Sequence, residues 1–259
     1  DELLVAKMGH AGTKEMVTTA FGKSLEEPVR ALLAELQVTL SRPAAFDLAT
    51  CDEHIKIIAP DFIEILLLTK VVRRASEMAP FMTFEISGGG TNEEAVTELN
   101  RSMTDFVIAS PPHLAPGHPS EPLLKDTSVC LGCATNGLLE RPVSQETLES
   151  LKRIELKKVH SDRLMNISGT QLSVIRSDNP LLIVENLANI AEYIIDTSLV
   201  CIVPQKLAVQ FARARPLRYA EIENLDQPIE FFIQWNRSFA RDPARAWFRQ
   251  LAVSIANEI

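Results

Sequence analysis

The Arg42-Pro43 dipeptide separates two kinds of hydrophobic pattern, and this separation constrains the fold more than any other feature of the chain. A residue before proline is pushed out of helical backbone, so a helix arriving at Arg42 stops there. Upstream, Leu25, Val29, Leu32, Leu33, Leu36 and Leu40 recur at helical spacing, with Glu26, Glu27, Arg30, Glu35 and Gln37 between them. This predicts an amphipathic helix over Ser24–Leu40 within a linker of residues 24–42. Ser24 and Glu27 have capping-box spacing, but that start would put Pro28 deep in the first turn, which points to a start a few residues later. The apolar face needs a cover, either its own domain or a twin helix from a second subunit.

Downstream the period changes. Short apolar runs read as strands near His54–Ala59, Met82–Ser87, Asp105–Ala109 and Thr127–Cys133, with helices at Phe62–Met78, Asn92–Arg101 and Ser144–Leu151. A second series gives strands near Arg153–Val159, Leu181–Val184, Leu199–Val203, Leu217–Ala220 and Glu230–Trp235, with helices at Leu187–Asp196, Gln205–Ala212 and Pro243–Glu258. Strands alternating with helices imply parallel sheets whose ligands sit beyond the carboxyl ends of the strands. Two α/β lobes with a cleft between them is the economical architecture. Residues 1–23 offer only a short strand at Leu3, Leu4 and Val5 and turns at Gly9 and Gly12.

At 259 residues, the chain can bury a core that needs neither disulfides nor a structural metal. A content of 46% hydrophobic and 23% charged residues excludes collagen-like, disordered and coiled-coil classes. A net charge of −8 lacks the footprint of a self-sufficient nucleic-acid binder. Apolar stretches such as Ile63 to Leu68 are far shorter than a membrane span, so no membrane partner is expected. No signal-peptide pattern opens the chain, and Cys51, Cys130, Cys133 and Cys201 lack framework spacing, which places the protein in the cytoplasm.

Motifs that carry chemistry are few. Cys130-Leu-Gly-Cys133 has the spacing of a metal or redox pair, but it lies in a strand-like run whose positions three apart face opposite sides, so buried thiols are the expectation. Ser87-Gly-Gly-Gly-Thr-Asn92 joins a strand to a helix and is neither a dinucleotide fingerprint nor a phosphate loop. His113 and His118 lie in a proline-rich loop without interleaved acids, and His160 ends a strand at the lobe junction. Arg237, Arg241, Arg245 and Arg249 recur every fourth residue and read as a solvated face supported by Asp242. With no nucleophile elbow, HExxH or phosphate loop, the chain points to binding, with no cofactor, metal or catalytic residue.

Several runs in order resemble LysR-type transcriptional regulators: Pro28-Val-Arg-Ala-Leu-Leu-Ala-Glu-Leu36, Arg42-Pro-Ala-Ala-Phe-Asp-Leu-Ala-Thr50, Ile57-Ile-Ala-Pro-Asp-Phe62, Met103-Thr-Asp-Phe-Val-Ile108, Cys201-Ile-Val-Pro-Gln-Lys-Leu-Ala208 and Asp242-Pro-Ala-Arg-Ala-Trp247. Val129-Cys-Leu-Gly-Cys-Ala-Thr-Asn136 is similar to the branch of nodulation and aromatic-catabolism regulators. The resemblance implies an α/β, two-lobed, periplasmic-binding-protein-like effector domain with parallel-sheet lobes, preceded by an amphipathic linker helix. Residues 1–23 would be a remnant of a winged helix-turn-helix, 24–42 the dimerisation helix and 50–259 the effector-binding domain. Lobe I would cover about 50–159 plus about 236–259, and lobe II about 160–235.

The resemblance further implies a homo-oligomer, dimer or tetramer, held by Leu25, Val29, Leu32, Leu33, Leu36 and Leu40. A small-molecule inducer would sit at Pro60, Asp61, Phe62, Ser87, Gly88, Ala109, Ser110, His160, Asn186, Leu187 and Trp235. Promoter DNA would be bound only through the missing helix-turn-helix, with RNA polymerase a further partner. Many relatives place Ser or Thr before the Asp; here Pro60 offers neither hydroxyl nor N–H and Asp61 occupies the helix-dipole position, so an aromatic or phenolic inducer is expected over a dicarboxylate. Two other readings stand beside this one: a stand-alone two-lobe small-molecule-binding protein, and an α/β enzyme using Asp61 or His160 as acid or base.

Overall fold

A computed structural model describes residues 4–8, 15–40, 46–88, 92–157, 180–225 and 228–259. Strands β1 (Val5–Met8) and β2 (Glu15–Thr18) form an antiparallel hairpin that feeds directly into helix α1 (Ala20–Leu40). The helix starts four residues before Ser24 because Thr19 caps it: its Oγ1 accepts from the Gly22 N–H at 3.0 Å. Gly22 is required there, since a Cβ would stand 2.2 Å from the Leu4 carbonyl oxygen. Pro28 is consequently an interior residue, at the cost of one backbone hydrogen bond.

The rest of the chain builds two five-stranded sheets. In the first, β3 (His54–Ile58) is flanked by parallel β4 (Thr83–Ser87) and β5 (Phe106–Ala109), and β12 (Ile229–Trp235) joins β5 to β6 (Ser120–Asp126) in antiparallel fashion. The second has the order β11-β7-β10-β8-β9, from β7 (Ser128–Cys133), β8 (Arg153–Leu156), β9 (Leu182–Val184), β10 (Val200–Pro204) and β11 (Leu217–Glu221). Both sheets are mixed, correcting the expectation of parallel-sheet lobes. Each lobe keeps three neighbouring parallel strands, while the strand that enters it from the other lobe, β12 in the first sheet and β7 in the second, runs antiparallel to them.

This path also moves the lobe boundary. The chain crosses at Asp126–Ser128, so β7 and β8, expected in lobe I, belong to lobe II, and it returns before Ile229, so β12 belongs to lobe I. Strand β6 escapes the sequence pattern because Pro122 interrupts it. It is tolerated at the sheet edge, opposite a register shift between Phe231 and Phe232.

Helix α2 runs through Asp61–Ile63, a π segment at Glu64–Leu68 and Thr69–Met78. It buries Phe62, Ile63, Leu66, Leu67 and Leu68, with Phe62 edge-on to Phe231 at 5.1 Å. Short helices α3 (Asn92–Asn100), α4 (Gln145–Ser150) and α5 (Ile190–Ile194) cover the sheets, with α6 (Gln205–Ala214) and α7 (Pro243–Ala256) as longer ones. Phe248 of α7 meets the rings of Phe84 and Phe106 at 5.6 and 5.4 Å. One apolar core is continuous from lobe to lobe.

Candidate functional site

The carboxyl ends of β3, β4 and β5 carry Pro60, Asp61, Ser87, Gly88 and Ser110, while β9 leads into Asn186 and Leu187 of the other lobe. Pro60 has no side chain to cap α2, and its carbonyl takes the Ile63 and Glu64 N–H groups instead. The Asp61 carboxylate therefore reaches across the lobes, where its Oδ2 accepts a hydrogen bond from the Leu187 N–H. This contact joins two of the expected effector residues, 126 positions apart in sequence.

The remaining expected residues divide. The buried Ser110 hydroxyl pairs with His113 Nδ1 at 2.9 Å, and Ser87 is exposed, its carbonyl accepting from the Ala59 N–H at 3.0 Å. Ala109, Gly88 and Asn186 sit at strand ends or in the turn before α5. Phe62 is fully buried against Phe231, so it belongs to the core and not to a ligand surface. Trp235 is a correction: it pairs with Phe106 at the amino end of β5, the far end of the sheet from Asp61, and its ring carries the Arg249 guanidinium at 4.0 Å. The antiparallel course of β12 is the reason. His160 lies outside the described residues.

Other motifs are absorbed by the scaffold. Cys130 and Cys133 are buried in β7, and burial pushes the Cys130 thiol up to about 12. His118 is wedged between Asn100 Oδ1 (2.8 Å) and the Arg237 N–H, which donates to its Nδ1 (3.2 Å). Desolvation, helped by the charge of Arg237, lowers its pKa. The arginine series is only half a solvated face. Arg245 is 14% exposed and pairs with Asp105 (2.6 Å), Asp242 (3.2 Å) and Glu53 (3.3 Å). Burial alone would lower its pKa, and these three carboxylates together raise it. Arg249 pairs with Glu121 at 2.9 Å.

Sequence reasoning missed the hinge. Asp126, buried at the crossover, accepts from the N–H groups of Thr127 (2.8 Å) and Lys206 (3.1 Å). It caps α6 from outside, because Pro204 at the N-cap has no side-chain acceptor. Desolvation raises its pKa.

Two lobes joined by two crossovers, with polar groups gathered at facing strand ends, define a ligand-sensing α/β domain. The sequence matches the LysR substrate binding domain over residues 52–256, and the chain belongs to that family, whose domain is the ligand-sensing regulatory part of a transcriptional regulator. It is 27% identical to Nodulation protein D from Bradyrhizobium sp. (strain ANU 289) over 249 residues, covering 95% of this chain and 72% of the relative. It is also 27% identical to Nodulation protein D 1 of Rhizobium tropici, covering 95% and 79%. A full-length OxyR variant from Pseudomonas aeruginosa shares the fold with a TM-score of 0.70 at 16% identity, covering 96% of this chain and 79% of that one. The regulatory domain of MexT, a transcriptional activator in the same organism, superposes with a TM-score of 0.63 at 16% identity, covering 80% and 100%.

Proposed function

We propose that the cleft at Asp61 and Leu187 binds a phenolic or aromatic inducer, and that α1 couples this event to DNA-binding heads in a homo-oligomer. The observation that carries the first part is the Asp61–Leu187 hydrogen bond. A carboxylate of the protein already fills the place at a backbone N–H where an acidic ligand would bind, leaving a ligand to offer a hydroxyl donor to Asp61 and an apolar ring to the cleft. A ligand that contacts the lobes differently in two arrangements shifts their populations, and no bond chemistry is required.

The oligomer reading rests on α1. Val29, Leu32, Leu33 and Leu36 are 47%, 65%, 55% and 52% exposed, whereas Leu25 and Arg30 are partly covered and Ala34 is buried. The stripe is thus not covered by its own domain, and a twin helix would bury it at about 1.5–3 kcal/mol per large side chain. The side chain of Leu40 lies outside the described residues.

Promoter DNA, RNA polymerase and a cytoplasmic location belong to the same reading. Among the described residues no helix is long and apolar enough to cross a membrane. Calorimetry with a panel of phenols and dicarboxylates tests the ligand class. A phenol should bind saturably, and Asp61→Asn should weaken it about tenfold. A dicarboxylate that binds tightly, loses affinity in Asp61→Asn and is displaced by no phenol overturns the reading.

A further inference from the structure

Helix α1 leaves its apolar stripe open, but its other side has a seat within the chain, the single 3-10 turn Arg237–Phe239 that follows β12. A turn of this kind begins with N–H groups that have no partner inside it. The Asn236 side chain accepts one of them, from Ser238, at 2.9 Å. The other, the Arg237 N–H, is taken by Nδ1 of His118 at 3.2 Å. An imidazole 119 positions away thus completes the turn on which α1 rests.

His118 is held in place by its own segment. Residues 110–119 form a strap that runs from Ser110, at the carboxyl end of β5, back to Pro119, whose carbonyl accepts from the Trp235 N–H at 3.2 Å. Pro111, Pro112, Pro116 and Pro119 restrict its backbone. The buried Gln234 amide clamps it, accepting from the Ala115 N–H (2.7 Å) and donating to the carbonyls of Ala115 (2.9 Å) and His118 (3.3 Å). The turn in its own right is tied to α3, because Asn236 Nδ2 donates to the Leu99 carbonyl at 2.7 Å.

The two ring contacts admit one protonation state. A backbone N–H can only donate, so Nδ1 must present its lone pair to Arg237. The proton of the neutral ring then sits on Nε2, where Asn100 Oδ1 accepts it at 2.8 Å. In the cation both ring nitrogens carry hydrogen, and Nδ1–H would face the Arg237 N–H. The surrounding charges do not favour the cation either. Arg237, on the turn, is the charged group that acts on the ring, while α3 and β12 contribute the neutral amides of Asn100 and Gln234. Glu121 of β6 is engaged with Arg249 at 2.9 Å, and among the described residues no carboxylate acts on the ring.

We propose that His118 is a proton-operated lock on the seat of α1. The neutral ring closes the turn. A proton on Nδ1 removes the acceptor of the Arg237 N–H, opens the turn and loosens α1. Burial and the charge of Arg237 lower the pKa of the ring, so the lock is fully closed above the ordinary value of 6.5 and opens as the pH falls through the lower value of the folded chain. The lock stands on the contacts of the turn, and only its consequence for DNA-binding heads rests on the reading of α1 given above.

Hydrogen exchange of the 259-residue chain between about pH 7.5 and 5, with rates corrected for the intrinsic effect of pH, reads the lock. The Arg237 amide should lose at least about tenfold in protection, and the amides of residues 30–36 in α1 should lose protection with it. The Ala115 amide, held by the Gln234 side chain, should stay within about twofold. His118→Gln offers an acceptor and a donor at the spacing of the two ring nitrogens and takes up no proton, so it should stay closed across the range. His118→Leu should be open already at about pH 7.5. Ring nitrogen shifts at that pH should report the Nε2–H tautomer. The parent chain and His118→Gln carry the test even if His118→Leu does not fold. An Nδ1–H tautomer, an Arg237 amide whose protection does not change with pH, or the same loss in His118→Gln as in the parent chain overturns the lock. Opening of the Arg237 amide with α1 unchanged overturns the link to α1 and leaves the inducer reading untouched.

Discussion

Helices α1 and α7 carry the same kind of amphipathic pattern and meet opposite fates. In α7, Phe248, Ala252 and Ile255 are buried on the first sheet, and Arg245 and Arg249 on its flank are held by carboxylates of lobe I. In α1, Val29, Leu32, Leu33 and Leu36 point into solvent, while the opposite side rests on Arg237–Phe239. Periodicity identifies a helix and its apolar stripe, but it does not say who supplies the cover. A helix that leaves its stripe open within one chain is built for a partner, and one that closes it is built for stability.

The comparison can be broken at its strongest point first. Phe248→Ala removes a ring packed on Phe84 and Phe106 and should cost about 3–5 kcal/mol in urea unfolding. Leu33→Ala should leave the unfolding free energy of the dilute chain within about 0.5 kcal/mol. Sedimentation should show the reverse order: Leu32→Asp abolishes self-association, while Phe248→Ala protein that remains folded still associates. Equal loss of stability in both helices would remove the distinction.

Smaller effects sharpen it. Arg245→Ala strands Asp105 in a buried site and should cost about 3 kcal/mol, more than any single charge change on α1 such as Arg30→Ala, whose pair with Glu26 is solvated. The two helix caps should differ: Thr19→Ala removes a side-chain acceptor from the first turn of α1, at about 1 kcal/mol, whereas Asp242→Ala removes the cap of α7 and also one carboxylate partner of the half-buried Arg245 and should cost more.

The smallest effect is a pH dependence. The pKa of His118 is depressed in the folded state, so the unfolded chain binds more protons as the pH falls. Its contribution is complete above the unfolded value near 6.5 and is lost as the pH falls through the folded value. Urea titrations between about pH 7.5 and 5 should therefore show a fall in stability that is shallower in His118→Gln.

Much of the fold was legible. The order of strands and helices followed from alternating periods, and the cysteines of β7 were readable as buried thiols because positions three apart on a strand face opposite sides. At the candidate site, Asp61 and Leu187 were both named from family resemblance, and the structure brings them into contact. Trp235 and the lobe boundary were not legible. Both depend on the antiparallel course of β12, a long-range pairing that leaves no mark in local spacing. The cap that Asp126 provides for α6 spans 80 residues, and its only local trace is Pro204, a helix start without an acceptor of its own.

By itself, then, the sequence determined the α/β class, the amphipathic helix α1 and the family to which the chain belongs, because each of these is written in neighbouring residues, in their period or in runs of fixed order, while Arg42-Pro43 lies outside the described residues. Tertiary structure alone decided which sheet each crossing strand joins, which apolar stripe stays open and which arginines are paired. These outcomes depend on contacts between residues tens to hundreds of positions apart, and no local pattern records which distant surface a side chain will meet.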